Sequence, residues 1–409
     1  MSDGLAIWLY GEEVARIERT RNRRLRLTYS ASALRTYELG TPVLSLSLPV
    51  SPRPFPNEVT TSFLDGLLPE GDALRAIAED LDLRATDTYS LISALGRDCA
   101  GALVIQPESD PAPKTPVVRT AEPVTDSDIA ELIDNLRSAP LGISQRVRIS
   151  LGGVQEKLLL THVSSATWGR PVDGTPSTHI LKPQIRGFSQ TVENEAFCMR
   201  VAGYAGLRVA SVQTMQIEER PLLVAQRYDR SVRDDGTIDR IHQEDFCQAF
   251  GISPRRKYEE DGGPSMRRVA GILQAVASED DLDEFLRAIT LNVVIGNGDA
   301  HGKNFSLLHE ASGALRLAPL YDLLCTLVYG QNRLAMYVDH VQRLERVTME
   351  RVVNEATSWG LSRRRALEVV GDLLGRLPSA IERAADETSK LSEDVLQTVT
   401  QQLKQMRSG

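Results

Sequence analysis

Asp299 and Asn304 stand five residues apart in the polar turn Asn297-Gly298-Asp299-Ala300-His301-Gly302-Lys303-Asn304, and Asp322 follows beyond two short apolar runs, Phe305 to Leu308 and Ala314 to Ala318. This spacing suits phosphoryl transfer: an aspartate orients a hydroxyl and accepts its proton, and an amide oxygen five residues on can ligate Mg2+. Asp322 can supply the metal carboxylate. Mg2+ takes hard oxygen ligands and keeps positions for water and nucleotide phosphates, so one carboxylate and one amide are enough from the protein. Asn, Gly and Asp are also common in plain turns, because they tolerate left-handed backbone and bond their own amides. The second aspartate beyond the hairpin is what raises the motif above that background.

Two further segments carry possible phosphate chemistry. Ser150-Leu151-Gly152-Gly153-Val154-Gln155-Glu156-Lys157 sets paired glycines just before a strand, where backbone N–H groups can approach phosphate oxygens. It matches neither common glycine-loop pattern, so by itself it reads equally as a tight turn. Lys182 lies on the apolar run His179-Ile180-Leu181-Lys182-Pro183, and Glu193 and Glu195 follow on the next helical stretch. A strand lysine paired with a helix glutamate grips phosphates in kinases. The alternative is an edge-strand lysine whose stem covers apolar surface.

The elements that position these residues follow from periodicity. Leu5, Ile7 and Leu9, then Leu25, Leu27 and Tyr29, alternate as in a small antiparallel sheet. The proline run 51–57 is a loop, Phe63 to Leu81 is helical, and 101–105 reads as a returning strand. Prolines at 107, 111, 113, 116 and 123 mark a linker. Strands are expected over 156–162, 178–182 and 222–227, with a helix over 191–204 inserted between them. From about Asp281 helices dominate, the last setting Leu391, Val395, Val399, Leu403 and Met406 three or four residues apart. A strand-rich front and a helix-rich back leave a natural cleft for a ligand.

Composition narrows the function classes. The 409 residues carry 47 Lys+Arg against 55 Asp+Glu, a formal charge of −8, so any contact with nucleic acid must be local. Six arginines between Arg16 and Arg26 are the one basic cluster; they either touch phosphates or form a solvated hairpin face. No apolar stretch reaches membrane-spanning length and Met1-Ser2-Asp3-Gly4 shows no signal segment, which predicts a cytoplasmic protein with no membrane partner. Four scattered cysteines and six histidines without ligand spacing argue against disulfide and zinc frameworks.

Together the three chemical segments resemble the HipA family, the serine/threonine-kinase toxins of bacterial HipBA-type toxin–antitoxin pairs. Ser150 to Lys157 is similar to that family's nucleotide loop, Ile295 to Ser306 to its catalytic loop, and Tyr321-Asp322-Leu323-Leu324 stands where other kinases have D-F-G. Leu64 to Gly71 and Gln243 to Gln248 resemble further family signatures, so the likeness spans nearly the whole chain. It implies an α+β, bilobal, PI3/4-kinase-like fold: an N-terminal α+β subdomain (1–106), a linker region (107–139), a nucleotide-binding lobe (140–228) and a helical lobe with the catalytic loop (229–409).

The resemblance also implies ATP and Mg2+, Asp299 as the catalytic acid/base, and Asn304 and Asp322 as metal ligands. Nucleotide contacts would come from Leu151, Gly152, Gly153, Val154, Gln155, Glu156, Lys157, Lys182, His301, Lys303 and Tyr321, with Gln226, Arg227 and Tyr228 as the hinge beside adenine. Ser150 would be the autophosphorylation site that silences the enzyme. The implied partners are a HipB-like antitoxin, operator DNA through that antitoxin, and a protein substrate, with glutamyl-tRNA synthetase the leading one. Substrate choice is expected on surface loops such as 257–266. A non-catalytic corepressor that uses nucleotide as a conformational ligand, or a small-molecule kinase, is the competing reading.

Overall fold

The structure is a computed structural model describing residues 4–143, 149–153, 155–164, 167–310 and 312–408. It divides into two compact units, Met1–Pro183 with Met215–Pro254, and Gln184–Thr214 with Arg255–Gly409.

The first unit opens with β1 (Gly4–Leu9), β2 (Glu12–Arg19) and β3 (Leu25–Tyr29), then α1 (Ala31–Thr36), α2 (Asn57–Leu67), α3 (Gly71–Asp80), α4 (Thr88–Leu95) and β4 (Leu103–Pro107). The strands form an antiparallel sheet in the order β3-β2-β1-β4. Leu5, Ile7, Leu9, Leu25, Leu27 and Tyr29 are all buried, as their alternation requires, against Phe63, Leu64 and Leu67 of α2. β2 was not evident from the sequence. A register shift between Ile7 and Trp8 leaves Val14 and Ala15 both buried in succession, which breaks the period of two.

A six-stranded sheet follows, in the order β5-β7-β6-β8-β10-β9. Its strands are β5 (Glu122–Val124), β6 (Leu158–Ser164), β7 (Thr167–Arg170), β8 (His179–Pro183), β9 (Val212–Ile217), whose last three residues belong to this unit, and β10 (Arg220–Gln226). The expected linker over 107–139 is only partly one. Pro107 still ends β4 and 108–116 has no helix or strand, but β5 and α5 (Asp126–Asp134) fold. The reason is local: Thr125 and Asp128 close a reciprocal capping box, and Ile129, Ala130 and Ile133 bury one face against Trp168 and Leu181. Pro123 is tolerated because β5 lies at the sheet's edge.

The expected boundaries at 106, 139 and 228 therefore do not coincide with the compact units. Asp98, from the first hundred residues, is ion-paired to Arg227 and Arg230, which ties that segment into the same unit as the larger sheet. The helix Thr191–Tyr204, expected within the sheet domain, belongs to the second unit. There Arg200 donates to Thr388 and Gln190 to the Lys390 carbonyl, both at the end of the long helix Arg363–Glu387.

The second unit is mainly helical: besides these two it has Met266–Val276, Glu279–Val294, Met349–Ser358 and Glu393–Ser408. The last buries Val395, Val399, Leu403 and Met406, four of the five residues of the stripe its spacing predicts; Leu391 lies before the helix begins. All four cysteines are free and buried. Among the described residues no helix is long and apolar enough to cross a membrane.

Candidate active site

The helix Glu279–Val294 is started by the Ser278–Asp281 capping box and ends at Gly296, whose φ of +72° suits glycine. The next residues are fixed by bonds of their own. Asn297 donates through its backbone to the Asn292 carbonyl and through Nδ2 to Asn292 Oδ1, and its own Oδ1 accepts from the Asp299 amide. The Gly298 amide donates to Thr326 Oγ1 and its carbonyl accepts from the Ala335 amide. A Cβ at Gly298 would lie 2.6 Å from the Arg333 carbonyl oxygen, so only glycine fits there.

This frame holds Asp299. Its Oδ1 accepts from the Tyr258 hydroxyl at 2.9 Å and from Gln331 Nε2 at 3.2 Å. Burial pushes the Asp299 carboxyl above the usual aspartate range, against the two hydrogen bonds that lower it; the nearby Asp322 charge adds to the rise. A carboxylate raised in this way is a better base than a free one. His301 stacks its ring edge against Tyr258, its Nδ1 is buried without a hydrogen-bond partner, and burial followed by the Lys257 charge push its pKa down to about 3. The ring is neutral near pH 7.

After the turn, strands Ser306–His309 and Leu315–Leu317 pair antiparallel, Leu307 opposite Leu317. This hairpin brings the chain back so that Asn304 Nδ2 donates to Asp322 Oδ2 at 2.9 Å, while Asn304 Oδ1 is buried with no hydrogen-bond partner. Asp322 has a φ of +58°, a conformation that costs a non-glycine residue about 1 kcal/mol and marks a constrained position. An orphaned amide oxygen beside a carboxylate fits a hard divalent cation such as Mg2+. Among the described residues no three His, Cys, Asp or Glu side chains gather into a metal cluster, so the donor set here is the smaller Asn–Asp pair. Tyr321 braces the turn, donating to the Lys303 carbonyl at 2.6 Å and sharing a hydrogen bond with Ser306 Oγ.

In the first unit the glycine segment is anchored at both ends. The Ser150 amide donates to the Asp98 carbonyl, and the fully buried Ser150 hydroxyl donates to the Leu67 carbonyl at 2.7 Å. Gly153 has a φ of +112°, and its carbonyl accepts from the Glu70 amide. Lys157 Nζ donates to the Gly152 carbonyl at 2.6 Å, closing the turn on itself. Leu151 and Gln155 are half-buried and Glu156 lies 3.6 Å from Arg137, whereas Val154 is outside the described residues. Lys182 is buried on β8, opposite Leu223 of β10.

Of the three expected hinge residues, Gln226 ends β10 opposite His179 and Tyr228 donates its hydroxyl to Gln243. Arg227, the middle residue of that expected hinge, has its side chain committed to the first unit's interior. Its guanidinium is buried against Asp98, Asp229 and Ser177, and its amide donates to the Thr178 carbonyl. With Arg230 and Arg240 it forms a buried network in which three arginines surround Asp98 and Asp229. Sequence reading also missed Tyr258 and Gln331; the first lies in the loop reserved for substrate choice, and neither spacing nor type signals that it meets Asp299.

These elements define an α+β kinase-like fold. The chain belongs to the HipA family: residues 149–381 match the HipA-like C-terminal domain and residues 5–106 the HipA N-terminal domain. It is 36% identical over 397 residues to the putative kinase Y4mE of Sinorhizobium fredii, covering 95% of this chain and 92% of that one. It is 28% identical over 370 residues to the serine/threonine-protein kinase toxin HipA of Shewanella oneidensis, covering 86% and 83%. The structure resembles HipA in the Shewanella oneidensis complex of HipA, HipB and operator DNA, with a TM-score of 0.83, 24% identity, and 99% and 96% of the two chains covered.

Proposed function

We propose that this chain is an ATP-dependent serine/threonine-protein kinase and the toxin of a type II toxin–antitoxin pair. The observation that carries the reading is the site around the Asp299 turn: a buried aspartate with one oxygen clamped by Tyr258 and Gln331, next to the buried, unpartnered Asn304 amide oxygen, whose own nitrogen donates to the Asp322 carboxylate. Asn304 and Asp322 would hold Mg2+, which neutralises phosphate charge when bound. Asp299 takes the proton from the acceptor hydroxyl as its oxygen bonds the γ-phosphorus; the bond from that phosphorus to the bridging oxygen breaks and ADP leaves with the electron pair. Neutral His301 and Lys303 line the nucleotide side, and Lys182 and the glycine turn contact the phosphates.

Regulation follows the family pattern in this proposal. Ser150 is the autophosphorylation site; its hydroxyl is buried against the Leu67 carbonyl, so it reacts only after leaving that place. The added phosphate, carrying about 1.5 to 2 negative charges, then has no room to return. A HipB-like antitoxin binds the chain and carries it to operator DNA. The substrate is a cytoplasmic translation component, glutamyl-tRNA synthetase first among them. Incubation with γ-labelled ATP and Mg2+ tests the reading: Ser150 takes up label in the wild type and not in Asp299→Ala or Asp322→Ala. Equal labelling in all three rejects the site, and repression of the operator with no labelling at all favours a corepressor.

A further inference from the structure

The loop expected to set substrate choice is entered through three consecutive cations, Arg255, Arg256 and Lys257, and they part ways. Arg255 and Arg256 are exposed, and Arg256 is taken up by the Asp261 and Gly262 carbonyls at 3.1 and 3.2 Å. Lys257 is half-buried and packs on the turn that holds Asp299. Its carbonyl accepts from the Gly302 amide at 3.3 Å, and a Cβ at Gly302 would meet Pro264 at 2.5 Å, so loop and turn are joined main chain to main chain. From that anchor the ammonium lies over the Tyr258 ring, 5.8 Å from its centroid. The Tyr258 hydroxyl donates to Asp299 Oδ1, and its ring meets that of His301 edge-on at 5.3 Å. The Lys257 charge is felt at both of these neighbours. Burial first and then Lys257 keep His301 neutral, and Lys257 opposes the rise that burial imposes on Asp299. All of these residues belong to the second unit.

We propose that Lys257 is a further catalytic residue, whose ammonium contacts the γ-phosphoryl group as that group passes from ATP to the acceptor hydroxyl. The acceptor proton goes to Asp299, the acceptor oxygen bonds the γ-phosphorus, and the bond to the bridging oxygen breaks with its electron pair leaving on ADP. Lys257 keeps its protons throughout and answers only the negative charge on the equatorial oxygens. Neutral His301 brings no charge to that side of Asp299, whereas a lysine on its flexible four-carbon stem delivers a point charge there. A cation placed where charge is in transit acts on the rate more than on ground-state binding. The inference rests on the kinase reading above and adds a residue to its machinery.

Charge and structure are separable at this position, because the bond to Gly302 is made by the main chain and survives any side chain at 257. In the full-length protein with γ-labelled ATP and Mg2+, Lys257→Met, which keeps the stem, should slow single-turnover labelling about a hundredfold. ADP affinity should stay within twofold and the melting temperature should not move. The same variant should abolish the extra affinity that fluoroaluminate, a mimic of the phosphoryl group in flight, lends to ADP. Lys257→Arg should recover at least tenfold of the lost rate. Labelling by Lys257→Met within threefold of the wild type, an untouched fluoroaluminate increment, an ADP affinity that falls as far as the rate, or an Arg variant no faster than the Met variant overturns the proposal. A wild type that labels nothing removes the kinase reading instead.

Discussion

Asn304 and Asp322, eighteen residues apart, share one hydrogen bond across the base of a hairpin, and that bond turns the Asn304 amide so that its oxygen is left over. Asp322→Ala should therefore remove the Mg2+-dependent part of ATP affinity, an effect of at least tenfold or about 1.4 kcal/mol. Calorimetric titration of ATP with and without Mg2+ reads it. Asn304→Leu should do the same, because it deletes the orphaned oxygen while keeping the volume. An unchanged Mg2+ increment in both variants would show that the cation is held elsewhere.

Asp98→Asn should destabilise the first unit by about 3 kcal/mol, since it leaves Arg227, Arg230 and Arg240 buried with one carboxylate, Asp229, among them. Burial opposes ionisation of Asp98, but the three arginines Arg227, Arg230 and Arg240 outweigh it and hold its carboxyl below the usual range. Urea denaturation at pH 7 measures the loss. A change under 1 kcal/mol would mean that the network contributes little net stability.

His301 should make folding sensitive to mild acid. Its folded pKa of about 3 lies below the unfolded value of 6.5, so between these the unfolded chain binds a proton that the folded chain refuses. Stability accordingly falls as pH drops, by about 2 kcal/mol between pH 6.5 and pH 5. His301→Gln should abolish that share of the slope in urea melts at the two pH values. His179, held down to about 4 by burial, leaves a slope of the same sign and nearly the same size over this window.

Ser150→Ala should cost about 1 kcal/mol, the net worth of one buried hydrogen bond to the Leu67 carbonyl. It should also remove self-labelling while a second substrate, if one is present, is still phosphorylated. Label that persists in Ser150→Ala, mapped by mass spectrometry to another residue, would reassign the modification site.

The meeting of Asn304 with Asp322 was legible because it depends on short fixed offsets: Asp299 to Asn304 spans one turn, and the hairpin to Asp322 has its own alternation. The partners of Asp299 were not. Tyr258 and Gln331 reach it from 41 and 32 residues away, a separation at which residue type carries no address. The side-chain partners of Arg227 were hidden for a related reason: only the fold reveals Asp98, 129 residues earlier. Helix Asp126–Asp134 was hidden by the prolines before it, although Thr125 and Asp128 already spell its start.

Asp98 offers its main-chain oxygen to the amide of Ser150 and its side chain to two arginines just past β10. A single residue thus serves as a hinge pin for two pieces that have no sequence proximity: pulling the serine loop away unloads the same point that steadies the strand end.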